Sequence, residues 1–383
     1  MFGTLILAEI PPEDEAIRPA VHALIERSVA HRPITERVRS WMGVDAKFSS
    51  EMGKAGLLGL TLPVKYGGQA RGPFARYVVV EELLASGAPV GLHWIADRQS
   101  SLVILTYGTE AQKQFYLPRI CQGEMFFCIG MSEPGAGSDL AAVRTRALRT
   151  EKGWQLNGSK IWTTNAHLCD YAIALVRTSG ATADRHAGLS QLIVDLRAPG
   201  VTIRQISDVN GDDDFNEIFF DDVELGADAL LGTEGQGWAQ CIAELAFERS
   251  GPERLWSSAI LLDAWVAHLG ALGTSSDARL ALVGSLTAQL TTLRALSLAV
   301  TARLAAGEQP VVEASLMKDL GTRFEQSVPT LIADDLGSHP DEAVAPDLMA
   351  VLRHMTNIAP AFSLRGGTRE ILLGIIARGL GLR

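Results

Sequence analysis

The chain has 383 residues, 47% hydrophobic and 20% charged, enough to bury a sizeable core and, by length, to form about two or three domains. Lys+Arg number 34 against Asp+Glu 44, a formal net charge of −10, so there is no general attraction to nucleic-acid phosphates or anionic lipid. No apolar run approaches the roughly 18 to 20 residues of a membrane-spanning helix, and the opening MFGTLILAEIPPEDE carries no basic n-region; a soluble, cytoplasmic protein without nucleic-acid or membrane partners is expected.

Ile17, Val21, Leu24, Ile25 and Val29 recur at helical steps and predict an amphipathic helix that breaks near Pro33. The loop GLTLPVKYGGQ follows, then a helix from about Phe74 to Ala85 closed by Gly87 and Pro89. Thr109 and Gln112 form a capping-box pattern that opens a short helix, expected to stop at Pro118. Beyond it, MFFCIGM, AVRTRAL, GWQLNGSKIW, YAIALVR, SQLIVDL, VTIRQI and NEIFFDD are short apolar or β-branched runs separated by turn residues. Their close spacing predicts antiparallel pairing in a sandwich or barrel and argues against a doubly wound parallel sheet. From about Thr233, long Ala/Leu-rich stretches predict a helical bundle, with enough apolar surface to meet another subunit. The expected fold class is therefore α+β: an N-terminal helical domain over 1–122, a middle β domain over 123–228 and a C-terminal four-helix-type bundle over 229–383. Cys121, Cys128, Cys169 and Cys241 have neither disulfide density nor CxxC spacing, so buried thiols in a reducing compartment are expected, with no metal site.

The stretch CIGMSEPGAGSDL, Cys128 to Leu140, follows a predicted strand. Pro134, Gly135 and Gly137 bend the chain and leave amides unobstructed, while Ser132 and Ser138 add hydroxyls. That composition allows a polar ligand to be held closely, but by itself it is a weak signal, since a tight turn between strands looks similar. The order of residues is more specific. MSEPGAGSDL, then NGSKIWTTNA (Asn157 to Ala166), then RGGTREILLGIIARGLGL (Arg365 to Leu382) resemble the three signatures of the acyl-CoA dehydrogenase family in order and spacing, and the resemblance covers nearly the whole chain.

The resemblance implies FAD as cofactor. It places Met131 and Ser132 beside the flavin pyrimidine, with Gly137 and Ser138 in the same segment and Ser138 near the acyl-CoA. Trp162, Thr163 and Thr164 would lie against the isoalloxazine, and Thr368 and Glu370 would bond the FAD ribose and pyrophosphate region. Arg249 and Gly367 would contact substrate. The implied reaction removes an α-proton from an acyl thioester while a β-hydride passes to flavin N5. In many members the base directly precedes the final Gly-Thr, but here that position is Gly366, which cannot take a proton. A subset places the base in an E-R pair on the first long helix of the C-terminal bundle. LAFERSGPERL puts Glu248 and Arg249 there, so Glu248 is the candidate base and the Gly366 N–H part of an oxyanion hole. Leu245 and Phe247 would desolvate that carboxylate and raise its pKa. Glu244, Glu253 and Arg254 share the segment, so a solvated charged face is the plain alternative for it.

Two family segments through which a neighbouring subunit holds the FAD adenylate half, R-x-x-F-G and Q-x-x-G-G, are not clear. The chain reads ALGTSSDARLALVGSL and LIADDLGSHPDEA, with Asp334 and Asp335 where a neutral amide is expected; acidic groups would oppose a pyrophosphate. The expected partners are acyl-CoA, an electron-transfer flavoprotein as acceptor, and either further copies of this chain or a related subunit. Two further readings stay open: an interface-completing subunit of a heteromeric dehydrogenase, and a flavin monooxygenase or oxidase on the same fold.

Overall fold

In a computed structural model of the chain, residues 5–249, 251–273 and 276–382 are described, the side chains of Thr182 and of residues 244–248 excepted. Among the described residues the longer helices of the first part are α1 (Arg18–Ser28), α2 (Ala46–Lys54), α3 (Pro73–Ser86), α4 (Ser101–Tyr107) and α5 (Glu110–Cys121). The strands follow as β1 (Phe127–Gly130), β2 (Arg146–Arg149), β3 (Gly153–Thr164), β4 (Tyr171–Arg177), β5 (Leu189–Asp195), β6 (Val201–Ile206), β7 (Phe215–Gly226) and β8 (Leu230–Leu231). Six helices complete the chain: α6 (Gly237–Glu248), α7 (Ala259–Ala271), α8 (Asp277–Ala305), α9 (Val311–Gly337), α10 (Pro346–Ile358) and α11 (Arg369–Gly379). The architecture is α+β: helical, then β, then helical.

These elements form two units, one of Met1–Gly43, Arg71–Pro89 and Ala246–Arg383, the other of Val44–Ala70 and Val90–Leu245. In the first, α7 to α10 make a four-helix bundle whose core includes Trp265, Leu286, Leu293, Phe324, Val328 and Val351. Glu81 on α3 is buried, and its carboxylate accepts from Nε and Nη2 of Arg294 on α8 at 2.6 and 2.9 Å. This two-point geometry is the strong form of an arginine–carboxylate bond. Gly87 closes α3 with φ +72, a left-handed turn suited to glycine.

In the second unit the sheet order is β6-β7-β3-β2-β4-β5-β8, with β1 added to β4. Every residue of β4 from Ala172 to Arg177 is buried, because both faces of the strand are covered. Ala172, Ala174 and Val176 face one cluster with Trp154 and Leu156. Ile173 faces another with Val103 and Ile104 of α4 and Leu117 and Ile120 of α5. Pairing is antiparallel as expected for β2–β3, β3–β7, β4–β5, β5–β8 and β6–β7. Two parallel pairings depart from the expectation: β1 runs alongside β4 from Phe127↔Tyr171 to Gly130↔Ala174, and β2 touches β4 at Arg146↔Arg177.

Two helix ends also differ from the sequence reading. The first helix stops at Ser28, before Pro33. The Thr109–Gln112 capping box forms with both of its hydrogen bonds, but α5 continues through Pro118 to Cys121. An internal proline costs about 3 kcal/mol. The extra turn buries Ile120 and Cys121, and burying an isoleucine alone recovers about 1.5–3 kcal/mol.

Candidate active site

The residues singled out in the sequence fall into two groups, one in each unit. In the sheet unit, Met131 and Ser132 leave the end of β1 half-buried, and Gly137 and Ser138 lie exposed beyond them. What holds this segment was not anticipated. Lys160 on β3 is buried, and its Nζ donates to the Met131 carbonyl at 3.1 Å and to Glu133 Oε1 at 2.8 Å. The Glu133 carboxylate also accepts the backbone N–H groups of Arg144 and Thr145, at 2.7 and 2.9 Å. Burial alone would raise its pKa, yet Lys160 and these donors hold it below the ordinary carboxylate range. The Glu133–Ala136 turn closes on itself through paired backbone bonds. A Cβ on Gly135 or Gly137 would meet nothing within 4 Å, so the turn opens outward.

The second motif is shaped by a bulge. The register of β3 on β7 runs from Lys160↔Ile218 directly to Thr163↔Asn216, so Ile161 and Trp162 oppose a single residue. Bulges of this kind re-aim side chains. Trp162 takes φ +59, rare for a large residue, and its indole is 58% exposed, edge-on to Phe215. The Ile161 amide donates to the Ser132 carbonyl at 2.9 Å, which joins the two motifs. Thr163 is fully buried and its Oγ1 has no hydrogen-bond partner among the described residues; Thr164 is half-buried. An orphaned buried hydroxyl costs about 1–3 kcal/mol. The exposed, flat indole of Trp162, next to Thr163 in the chain, is open to a planar ligand.

In the other unit the GGT turn precedes α11. Gly366 and Gly367 take φ +66 and +99, left-handed values at which other L-residues pay about 1–2 kcal/mol. Arg249 is buried, 6% exposed, and its Nε donates to the Gly366 carbonyl at 3.1 Å. Thr368 is the N-cap of α11. The Glu370 carboxyl is held below its ordinary range by its own backbone N–H and then by the Thr368 hydroxyl. Glu248 closes α6; its side chain, like those of Glu244, Leu245 and Phe247, lies outside the described residues. Glu253 and Arg254 are buried, so they do not form the solvated face that charge patterning alone would suggest.

Asp335, one of the acidic residues found where a neutral amide was expected, is paired within the bundle. Its carboxylate accepts from Arg279 Nε at 2.8 Å and from Trp265 Nε1 at 2.9 Å. Nη1 and Nη2 of Arg279 donate to Glu342 at 2.7 and 2.8 Å. Burial would raise the Asp335 pKa, but Arg279 and Trp265 hold it below its usual value. Arg279 of the first segment is thus taken up by Asp335 and Glu342 of the second, and Asp334 is left exposed. Among the described residues no three His, Cys, Asp or Glu side chains are grouped to hold a metal ion, and no helix is long and apolar enough to cross a membrane.

Comparison with known proteins assigns the same three parts. The N-terminal, middle and C-terminal domain models of acyl-CoA dehydrogenases match residues 11–124, 128–223 and 235–381. Acyl-CoA dehydrogenase IpdE1 of Mycobacterium tuberculosis is 39% identical over 57% of the chain and 54% of its own length. The chain thus spans about half the length of that relative. Acyl-CoA dehydrogenase FadE29 of the same organism is 32% identical over 85% of both chains. Among solved structures, the steroid ACAD Tcur3481-Tcur3483 superposes with TM-score 0.86 at 26% identity over 99% of each chain. The ChsE4-ChsE5 complex of Mycobacterium tuberculosis gives 0.84 at 28% identity over 99% of this chain and 100% of that one. With all three domain models in order and a relative matched along most of both lengths, the chain belongs to the acyl-CoA dehydrogenase family.

Proposed function

We infer that the protein is an FAD-dependent dehydrogenase that converts an acyl-CoA thioester to its 2-enoyl-CoA. The observation that carries this reading is the bond from Arg249 to the Gly366 carbonyl. The turn where many relatives keep their base holds two left-handed glycines and no carboxylate, and it is tied to the residue immediately after Glu248. Glu248 is then the base that takes the α-proton, and the Gly366 N–H a donor to the thioester oxygen as charge develops there. Ser138, Arg249 and Gly367 contact the acyl-CoA.

The cofactor fits the residues present. Trp162 offers an exposed ring face, Thr163 an unsatisfied hydroxyl and the Gly135–Gly137 turn an open cradle. Met131, Ser132, Gly137 and Ser138 line one edge, with Thr164 beside Thr163, while Thr368 and Glu370 sit at the start of α11, where an anion is favoured. When bound, FAD supplies the acceptor for the β-hydride at its N5. An electron-transfer flavoprotein is the acceptor of the electrons. Four buried free thiols suit a reducing, cytoplasmic setting.

A second reading concerns assembly. Arg279 and Asp335 are committed to each other, so a related subunit, not a second copy, completes the adenylate half of the FAD site. The test is anaerobic mixing of the FAD-loaded protein with a panel of acyl-CoAs. Bleaching of the flavin with formation of the enoyl-CoA is expected. Turnover that consumes oxygen would favour the oxidase or monooxygenase reading, and no bleaching by any acyl-CoA would reject the activity for the isolated chain. Adding the related subunit would then decide whether this chain only completes an interface.

A further inference from the structure

Side chains grip the turn before α11 at nearly every residue. At its edges, Arg365 Nη2 donates to Ser257 Oγ at 2.8 Å and to the buried Glu325 at 3.1 Å, and its guanidinium stacks 4.2 Å from the Trp41 ring. Arg369 Nε donates to Asp319 at 2.7 Å. In the middle, two cations hold successive carbonyls. Arg249 takes that of Gly366, and Lys318, on α9 and 0% exposed, donates from Nζ to that of Gly367 at 2.8 Å.

A trans peptide is planar, with its N–H directed opposite to its C=O. Fixing the Gly366 carbonyl therefore fixes the Gly367 N–H, and fixing the Gly367 carbonyl fixes the Thr368 N–H. Among the described residues neither amide donates to a backbone carbonyl. Burying an ammonium costs several kcal/mol. A charge behind the Gly367 peptide polarises it more strongly than a neutral donor would, strengthening the Thr368 N–H on its far side. The neighbouring carboxylates of Asp319 and Glu325 bond the arginines at the two edges of the turn.

We propose that Lys318 is a positioning residue that aims the Thr368 amide, which joins the Gly367 amide fixed by Arg249 as a preset donor for the charge that develops on the thioester oxygen. The proposal rests on the acyl-CoA reading above. Catalysis by such donors depends on their being aimed before the reaction begins.

An acyl-CoA with sulfur in place of its β-carbon cannot pass a hydride, so exchange of its α-protons with D2O reports carbonyl polarisation and proton removal alone. The FAD-loaded wild type should exchange them. Lys318→Met should slow exchange at least ~10-fold and lower kcat more than it raises KM, with flavin content retained, and Lys318→Arg should restore part of the rate. A folded, flavin-loaded Lys318→Met that exchanges at the wild-type rate would overturn the proposal. Should that variant not fold, Lys318→Gln, which keeps a neutral donor, carries the same test: slowed exchange supports the role of the charge, and an unchanged rate removes it. If the wild type itself exchanges nothing from any acyl-CoA, the activity reading fails instead.

Discussion

Lys160 Nζ and Glu133 Oε1 are 2.8 Å apart and shut away from water, and this contact fastens the SEPGAG turn to the strand that carries Trp162. Removing one partner of a buried pair strands the other charge, at about 3–5 kcal/mol. Lys160→Met is expected to lose that much unfolding free energy in urea and to release FAD more readily, whereas Glu133→Gln combined with Lys160→Met should recover part of the loss. Because the folded Glu133 pKa is depressed, its contribution is complete above the ordinary glutamate range and fades as pH falls below it. A Lys160→Met protein as stable as wild type would contradict the coupling.

Glu248→Gln separates chemistry from binding. Proton transfer by a placed side chain contributes about 10²–10⁴-fold, so acyl-CoA should bleach the flavin slower by that factor. FAD content and thermal midpoint should stay near wild type. If reduction proceeds at the normal rate, another group is the base.

What could be read in advance was what depends on local pattern. The Thr109–Gln112 cap, the glycine stop of α3 and the runs that became β1 to β7 announce themselves within a few residues. The misreadings share a cause: the deciding partner is far along the chain. Pro118 is overruled by the core that receives Ile120. Asp335 was weighed only as an acidic group that would oppose a pyrophosphate, because its partner Arg279 lies 56 positions earlier. Lys160 and Glu133, 27 apart, carried one usable signal, a lysine inside an otherwise uncharged strand run. Trp162 was singled out from its motif, but the bulge that turns it outward depends on the register with β7.

His93 gives a pH signature independent of the active site. It is buried against Phe48, its Nδ1 2.9 Å from Ser49 Oγ, and burial pushes its pKa from 6.5 down to about 4. The unfolded chain therefore binds a proton before the folded one does. Stability is fully present above the unfolded value and falls as pH drops from 6.5 toward 4, by about 3 kcal/mol in all. His93→Gln should flatten that slope in urea titrations across the same window. An unaltered slope would mean that other groups cause it.

Arg279→Met tests what the Asp335–Arg279–Glu342 cluster is for. If it is internal bracing, the variant leaves the Asp335 side chain, 6% exposed, without its counter-ion. The bundle should then weaken by about 3–5 kcal/mol, with a lower thermal midpoint, and the deficit against wild type should shrink in acid, where the wild-type Asp335–Arg279 pair is itself lost to protonation. Flavin retained per folded complex with the related subunit should not change, because on this reading Arg279 reaches no cofactor. If the midpoint holds while flavin is lost, the arginine serves a neighbour's adenylate, and the heteromeric assembly argued from its pairing would have to be abandoned.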